Sequence, residues 1–213
     1  MKLKEIIELG LVDDLKVFLS ANPECSNRKI IWGEDQEIET DPLHYVSDCV
    51  FNGVLTNGNE AEVAKVLLEF GARLEGSENA ESPLIGAVSL SAIGVAEVLI
   101  DAGAIIDATS VHGASSLHWA AYVGLPSIVS ALLNKGANIE KKCIDFKATP
   151  VFWAVQGFRK SNRADKSSIV DVAKILVGSG ADVLEENFEG CSAFEYSHEI
   201  GNDALIRAIE SGT

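Results

Sequence analysis

The groups in this chain that could do chemistry are four histidines, four cysteines and 32 carboxylates. A metal site or an activated nucleophile needs several such groups brought together, usually at short, recognisable spacings. Of His44, His112, His118 and His198, neither His112 nor His198 has a partner in sequence, and Cys25, Cys49, Cys143 and Cys191 form neither a CxxC pair nor a Cys/His cluster. No phosphate-cradling glycine loop, HExxH or GxSxG occurs. The cysteines are therefore expected as reduced, partly buried thiols, with no metal and no cofactor. Carboxylates are numerous enough for two to meet by folding, so carboxylate catalysis stays open as one reading. The expectation is a chain that is not an enzyme.

Charge narrows the partner. Acidic residues outnumber basic ones 32 to 17, giving a net charge of −15. Such a surface repels nucleic-acid backbones and anionic membrane leaflets, and attracts a basic protein surface. The opening Met1-Lys2-Leu3-Lys4-Glu5 meets an acid too early for a signal peptide, and no apolar run approaches the ~20 residues a membrane helix requires. These observations predict a cytoplasmic protein with no nucleic-acid or membrane partner, monomeric when free.

The elements that must position these side chains repeat along the chain. A small polar residue, often followed by proline and then a large apolar residue, occurs as Asp41-Pro42-Leu43, Ser82-Pro83-Leu84, Ser115-Ser116-Leu117, Thr149-Pro150-Val151 and Ser192-Ala193-Phe194. Each predicts a helix start, with the polar residue capping free amides and proline at the first helical position. Behind the first four copies, apolar pairs lead into Gly-Ala at Gly71, Gly103, Gly136 and Gly180. That spacing makes one apolar helix stripe, and the glycine suits the left-handed stop after it. Ser82 to Ser115 is one period of 33 residues, while the first and fourth copies are longer by 9 and 10 residues around 51–60 and 158–168.

These lines resemble the ankyrin repeat, whose TPLHxA opening and period of about 33 residues they approximate. The resemblance covers essentially the whole chain. It implies an all-α solenoid of stacked helix pairs with protruding finger turns. One domain is expected over residues 1–213, with an N-terminal capping pair and acidic finger in 1–40. Repeats start near 41, 82, 115 and 149, and 192–213 is the C-terminal cap. His44 and His118 occupy the motif histidine, which implies a structural hydrogen bond near the helix start. Departures are Ile85, Phe152 and Glu195 at that position, and Ser91 where helix pairs usually turn at glycine.

Three features point to contacts. With the cap residue numbered 1, position 5 points away from the apolar stripe and holds Tyr45, Gly86, Trp119, Trp153 and Tyr196, with Tyr122 at position 8 of the third copy. Such rings are either packing against neighbouring fingers or the anchors of a binding surface, with Gly86 leaving a gap for a partner side chain. The acidic run Glu34, Asp35, Glu37 and Glu39 lies beside Trp32, in the first finger. Arg159, Lys160, Arg163 and Lys166 give the fourth-copy insertion, expected as a loop, a basic character. His112 is placed in a finger. The resemblance implies a protein-binding module. Within it, an acidic inhibitor of a basic partner, like a bacterial immunity protein that blocks a toxin, fits a capped repeat array with no effector domain, tail or targeting sequence. A general scaffold or regulatory subunit is the alternative use.

Overall fold

Proline at the first helical position and glycine in the left-handed region set the helix limits, as the sequence predicts. The computed structural model describes residues 1–33, 37–78, 80–160 and 165–212. Contacts divide the chain into two compact units, Met1–Ile105 and Ile106–Thr213.

The first unit holds helices α1 (Leu3–Glu8), α2 (Val12–Ala21), α3 (Pro42–Phe51), α4 (Glu60–Glu69), α5 (Pro83–Ser89) and α6 (Ile93–Asp101), with a 3-10 turn at Pro23–Asn27. Strands β1 (Ile30–Trp32) and β2 (Ile38–Thr40) form an antiparallel hairpin that pairs Ile31 with Glu39. In the second unit are α7 (Ser116–Val123), α8 (Pro126–Asn134), α9 (Pro150–Lys160), α10 (Lys166–Gly178), α11 (Ala193–Ile200) and α12 (Asp203–Glu210). Packing follows one rule in both units. The first helices of successive pairs stack as α1–α3–α5 and as α7–α9–α11, and the second helices as α2–α4–α6 and α8–α10–α12. The stripe positions Leu43, Leu84, Leu117 and Val151 are at most 1 % exposed because helices of adjacent pairs cover them. The fold class is all-α, of ankyrin type.

The departures from the motif have physical readings. Ser91 takes φ +61°, the left-handed conformation that Gly10, Gly124 and Gly201 supply at the corresponding turns. Glu195 replaces the motif histidine and does its first job, accepting from the Ser192 amide at 2.9 Å and the Ser192 hydroxyl at 2.9 Å. Asp41 does not cap its own helix. Its carboxylate turns to the next finger, where the Ser77 amide donates at 2.8 Å and Arg73 stands at 3.5 Å. Burial works to raise the Asp41 pKa, but the Ser77 hydrogen bonds, with Lys29 and Arg73, outweigh it and hold the carboxyl below its usual value.

A second regularity was not read from the sequence. Four residues after three of the stop glycines stand Glu75, Asp107 and Glu140. Their carboxylates accept backbone amides of the following repeat: Ile105 at 2.8 Å, Asn138 at 3.1 Å and Asp182 at 2.8 Å. Asn27 does the same for the Arg73 amide at 2.8 Å. Part of the chain's acidity thus sets the spacing between fingers.

The insertions also depart from simple loops. In the first, Asn57 and Asn59 donate to the Leu9 and Gly10 carbonyls at 3.0 Å each, tying the insertion to the turn of the N-terminal pair. In the second, Phe158, Arg159 and Lys160 extend α9, and Lys166 opens α10 behind the Asp165 cap. Helical turns thus take up part of the length expected as loop.

His118 is fully buried. Its Nδ1 accepts from the Ser115 amide at 3.1 Å, and Nε2 reaches the Ala148 carbonyl of the next finger at 3.2 Å. The neutral imidazole with its proton on Nε2 satisfies both contacts. Burial pushes its pKa down to about 4. The unfolded imidazole takes up a proton near pH 6.5 and the folded one does not, so stability is complete above that value and is lost as pH falls toward 4. Asp48, pushed up to about 6 by burial, has the opposite sign over a similar range. Replacing each separately resolves the two. Urea unfolding at pH 7 and pH 5 should show a His118 contribution of about 2 kcal/mol lost at the lower pH, and His118→Gln should remove that dependence.

Candidate functional site

Position 5 of the helix pairs does not form one exposed row. In the first unit Tyr45 is 3 % exposed, because α1 lies over it, and its hydroxyl donates to Glu8 Oε1 at 2.7 Å. Tyr45 is thus a core residue, not a contact. The gap expected at Gly86 is filled: a side chain there would place its Cβ 2.4 Å from the His44 ring. His44 therefore packs into the Gly86 space and makes no hydrogen bond among the described residues. Trp32 is half-buried with its ring 5.6 Å from Tyr45. Glu37 and Glu39 are exposed, Glu39 on β2. Glu34, Asp35 and Arg163 lie outside the described residues.

The second unit gathers what remains. The rings of Trp119 on α7 and Trp153 on α9 meet edge to face at 5.3 Å. Tyr122 joins both, at 6.1 Å from Trp119 and 5.9 Å from Trp153. The two tryptophans are half-buried rather than standing free. Trp153 also meets the buried His118 ring at 5.3 Å, so the cluster rests on the capping network. Trp119 Nε1 is buried with no hydrogen-bond partner among the described residues, a cost that the ring packing must offset.

Gly157 makes this cluster possible. A Cβ there would lie 2.2 Å from the Tyr122 carbonyl oxygen, so only glycine lets α9 approach α7 this closely. A glycine in mid-helix marks close packing, and that was the available signal in the sequence.

Beside the cluster is a cavity of about 570 Å³. Trp119, Tyr122, Phe152, Trp153 and Tyr196 of α11 line it. Phe152, which replaces the motif histidine, stacks flat on Tyr196 at 5.4 Å and 7°. Tyr196 is 8 % exposed, so its ring is largely core while its hydroxyl accepts from Arg159 at 3.1 Å. The finger residues Phe146 and Phe188, 6.1 Å apart, border the cavity and are each about half-exposed. Arg159, Lys160, Glu189, Glu199 and Cys191 are the remaining ionisable groups in its wall. His112 lies elsewhere, exposed at a finger tip and paired with Asp145 at 2.7 Å.

Charge divides unequally between the units. Met1–Ile105 holds 19 acidic and 7 basic residues, whereas Ile106–Thr213 holds 13 and 10. The aromatic cavity therefore sits in the nearly balanced unit, and the acidic excess belongs to the other. Among the described residues no group of histidine, cysteine and carboxylate side chains could hold a metal ion. None of the described helices is long and apolar enough to cross a membrane.

Stacked helix pairs joined by hydrogen-bonded fingers, with an aromatic cavity between them, define a repeat protein built to present a surface. Residues 51–143 match the family model for ankyrin repeats (3 copies), so this stretch carries ankyrin repeats. No curated protein matches it. Ankyrin repeats are protein–protein interaction modules and are generally non-enzymatic.

Two glycines in helices test how the cluster is built. Gly157→Ala should force α9 from α7, lower stability by roughly 1–3 kcal/mol and shift tryptophan emission to the red. Gly178→Ala, with open space around its added methyl, should be neutral or stabilising by up to about 1 kcal/mol. Equal effects of the two changes on melting temperature and emission would contradict the close approach.

Proposed function

We propose that this chain is a non-enzymatic inhibitor that binds a partner protein with a basic surface, in the manner of an immunity protein neutralising a bacterial toxin. It acts in the cytoplasm and is monomeric until the partner arrives. The observation that carries the reading is the Trp119–Tyr122–Trp153 cluster beside an open aromatic cavity. Half-buried tryptophan and tyrosine on rigid helices lose little freedom on binding and offer large contact areas, the usual make-up of an interface anchor. The net charge of −15 supports a basic partner, because complementary charge raises the rate of encounter more than it strengthens the final complex. The excess in the first unit, with Glu37 and Glu39 exposed, supplies that field.

A scaffold role has an observation of its own. Val111 and Ile144 are 88 % and 67 % exposed at the fingers of the second unit. These apolar tips, distinct from the tryptophan cluster, would serve a second partner in a larger assembly.

Binding kinetics with the co-purified partner test the proposal. Trp153→Ala should weaken binding by roughly 2 kcal/mol or more, chiefly through faster dissociation. Because the ring is half-buried against His118, it should also lower stability by roughly 1–3 kcal/mol. Glu37→Lys with Glu39→Lys, or added salt, should slow association and leave dissociation nearly unchanged. Unchanged affinity of the folded Trp153→Ala protein would make the cluster packing alone. Association indifferent to salt and charge reversal would remove the basic partner.

A further inference from the structure

Arg159 is the informative member of the cavity wall in the second unit. Its guanidinium carbon lies 5.3 Å from the Tyr196 ring centroid, and Nη1 donates to the Tyr196 hydroxyl at 3.1 Å. Tyr196 is in turn fixed by its flat stack on Phe152. The guanidinium is thereby held in place through one of its five N–H donors, which leaves most of the planar fork free. No carboxylate among the described residues lies within ion-pair distance of it. In a chain with 32 acidic residues against 17 basic ones, an arginine held in place without an acidic partner runs against the supply of charge. A fixed, unpaired guanidinium beside aromatic rings matches a carboxylate arriving from outside.

The rest of the wall limits where that carboxylate goes. Lys160 lines the same cavity and adds positive charge, while Glu189 and Glu199, also in its wall, confine the attraction for an anion to the neighbourhood of Arg159 and Lys160. Half of the residues in the wall are aromatic. The volume of about 570 Å³ falls in the range of about 300–1,000 Å³ typical of sites that enclose a ligand group.

We infer that this cavity receives an aromatic–acidic pair on a protein segment, the aromatic side chain entering beside Trp153 and Phe188 and the neighbouring Asp or Glu carboxylate taking the free fork of Arg159. The inference rests on the protein-binding reading and names the chemistry of that partner's anchor. The partner then carries a local acidic–aromatic element for this cavity as well as the basic surface that the first unit attracts. Phe146 and Phe188 extend the aromatic wall onto the exposed fingers. A chain segment, with backbone on either side of the inserted residue, fits that extension better than a free small molecule.

The test uses the whole protein and three probes, N-acetyl-Phe-Asp-amide, its Asn counterpart and its Lys counterpart. Tryptophan fluorescence reports binding. Protection of Cys191 from iodoacetamide reports occupancy, since Cys191 lines the cavity while Cys25, Cys49 and Cys143 are buried. The Asp peptide should bind about three- to fivefold tighter than the Asn peptide, the size of a solvent-exposed ion pair, with the Lys peptide weakest, and it should slow Cys191 alkylation. Arg159→Gln should erase the difference between Asp and Asn at unchanged melting temperature, because the side chain is exposed. A Lys peptide that binds as well as the Asp peptide overturns the inference, as does a preference that survives Arg159→Gln or an absence of binding by every peptide at millimolar concentration. Phenylacetate, which has the ring and the carboxylate without a backbone, should bind more weakly; tighter binding would assign the cavity to a small molecule. Partner binding that ignores a saturating Asp peptide removes this site and leaves the protein-binding reading. A chain that binds the Asp peptide but no protein does the reverse.

Discussion

A helix pair this short cannot cover its own apolar stripe, and the structure depends on that constraint. One turn of Leu117, Ala120 and Ala121 becomes dry only when a neighbouring pair closes over it. Burying a leucine-sized side chain contributes about 1.5–3 kcal/mol, so each pair is stable only as a member of a stack. Once pairs must stack, their spacing is no longer free. The fingers come into register, and recurring acceptors such as Asp107 and Glu140 take the amides of the following repeat. His118 closes the same gap from inside by bridging Ser115 and Ala148.

The aromatic site is a consequence of that register in the second unit. Equivalent positions on α7 and α9 are brought to neighbouring places, and Gly157 removes the atom that would hold the helices apart. Trp119 and Trp153 then meet, and Trp153 leans on the buried His118. Packing and presentation are therefore not alternatives here. The rings are positioned by burying one part of their surface, and what remains faces a cavity that neighbouring helices and fingers complete. The longer α9 places Arg159 over Tyr196 at the border of that cavity.

Helix starts, glycine stops and the capping role of His118 were legible in the sequence because each depends on local geometry. The left-handed turn at Ser91 was legible as a departure for the same reason. What the sequence did not show depended on neighbours. Counting from the cap residue placed Tyr45 off the stripe, but the count cannot know that α1 lies over that position and supplies Glu8 to its hydroxyl. Gly86 read as a gap, while the residue filling it, His44, belongs to the preceding repeat. Asp41 read as a cap and is drawn instead to Ser77, a better donor pair than its own helix offers. Ile30-Ile31-Trp32 carried a strand signal in its β-branched and aromatic residues, hidden under the expectation of a plain finger. Phe152 was read as a lost histidine, and its gain, a flat stack on Tyr196, appears only when α9 and α11 are placed together.

The central claim is that the stack presents the face of α7, α9 and α11 in the second unit, with the adjoining fingers, as the contact surface. Amide hydrogen exchange on the chain alone and in complex with its co-purified partner tests this most directly. The account predicts slower exchange in the partner's presence for peptides covering Ser116–Val123, Pro150–Lys160 and Ala193–Ile200, and for the finger around Phe188. Exchange in α8 and α12, on the other side of the helix pairs, should stay unchanged. Protection concentrated in α8, α10 and α12, with the α7 and α9 peptides unaffected, would contradict it.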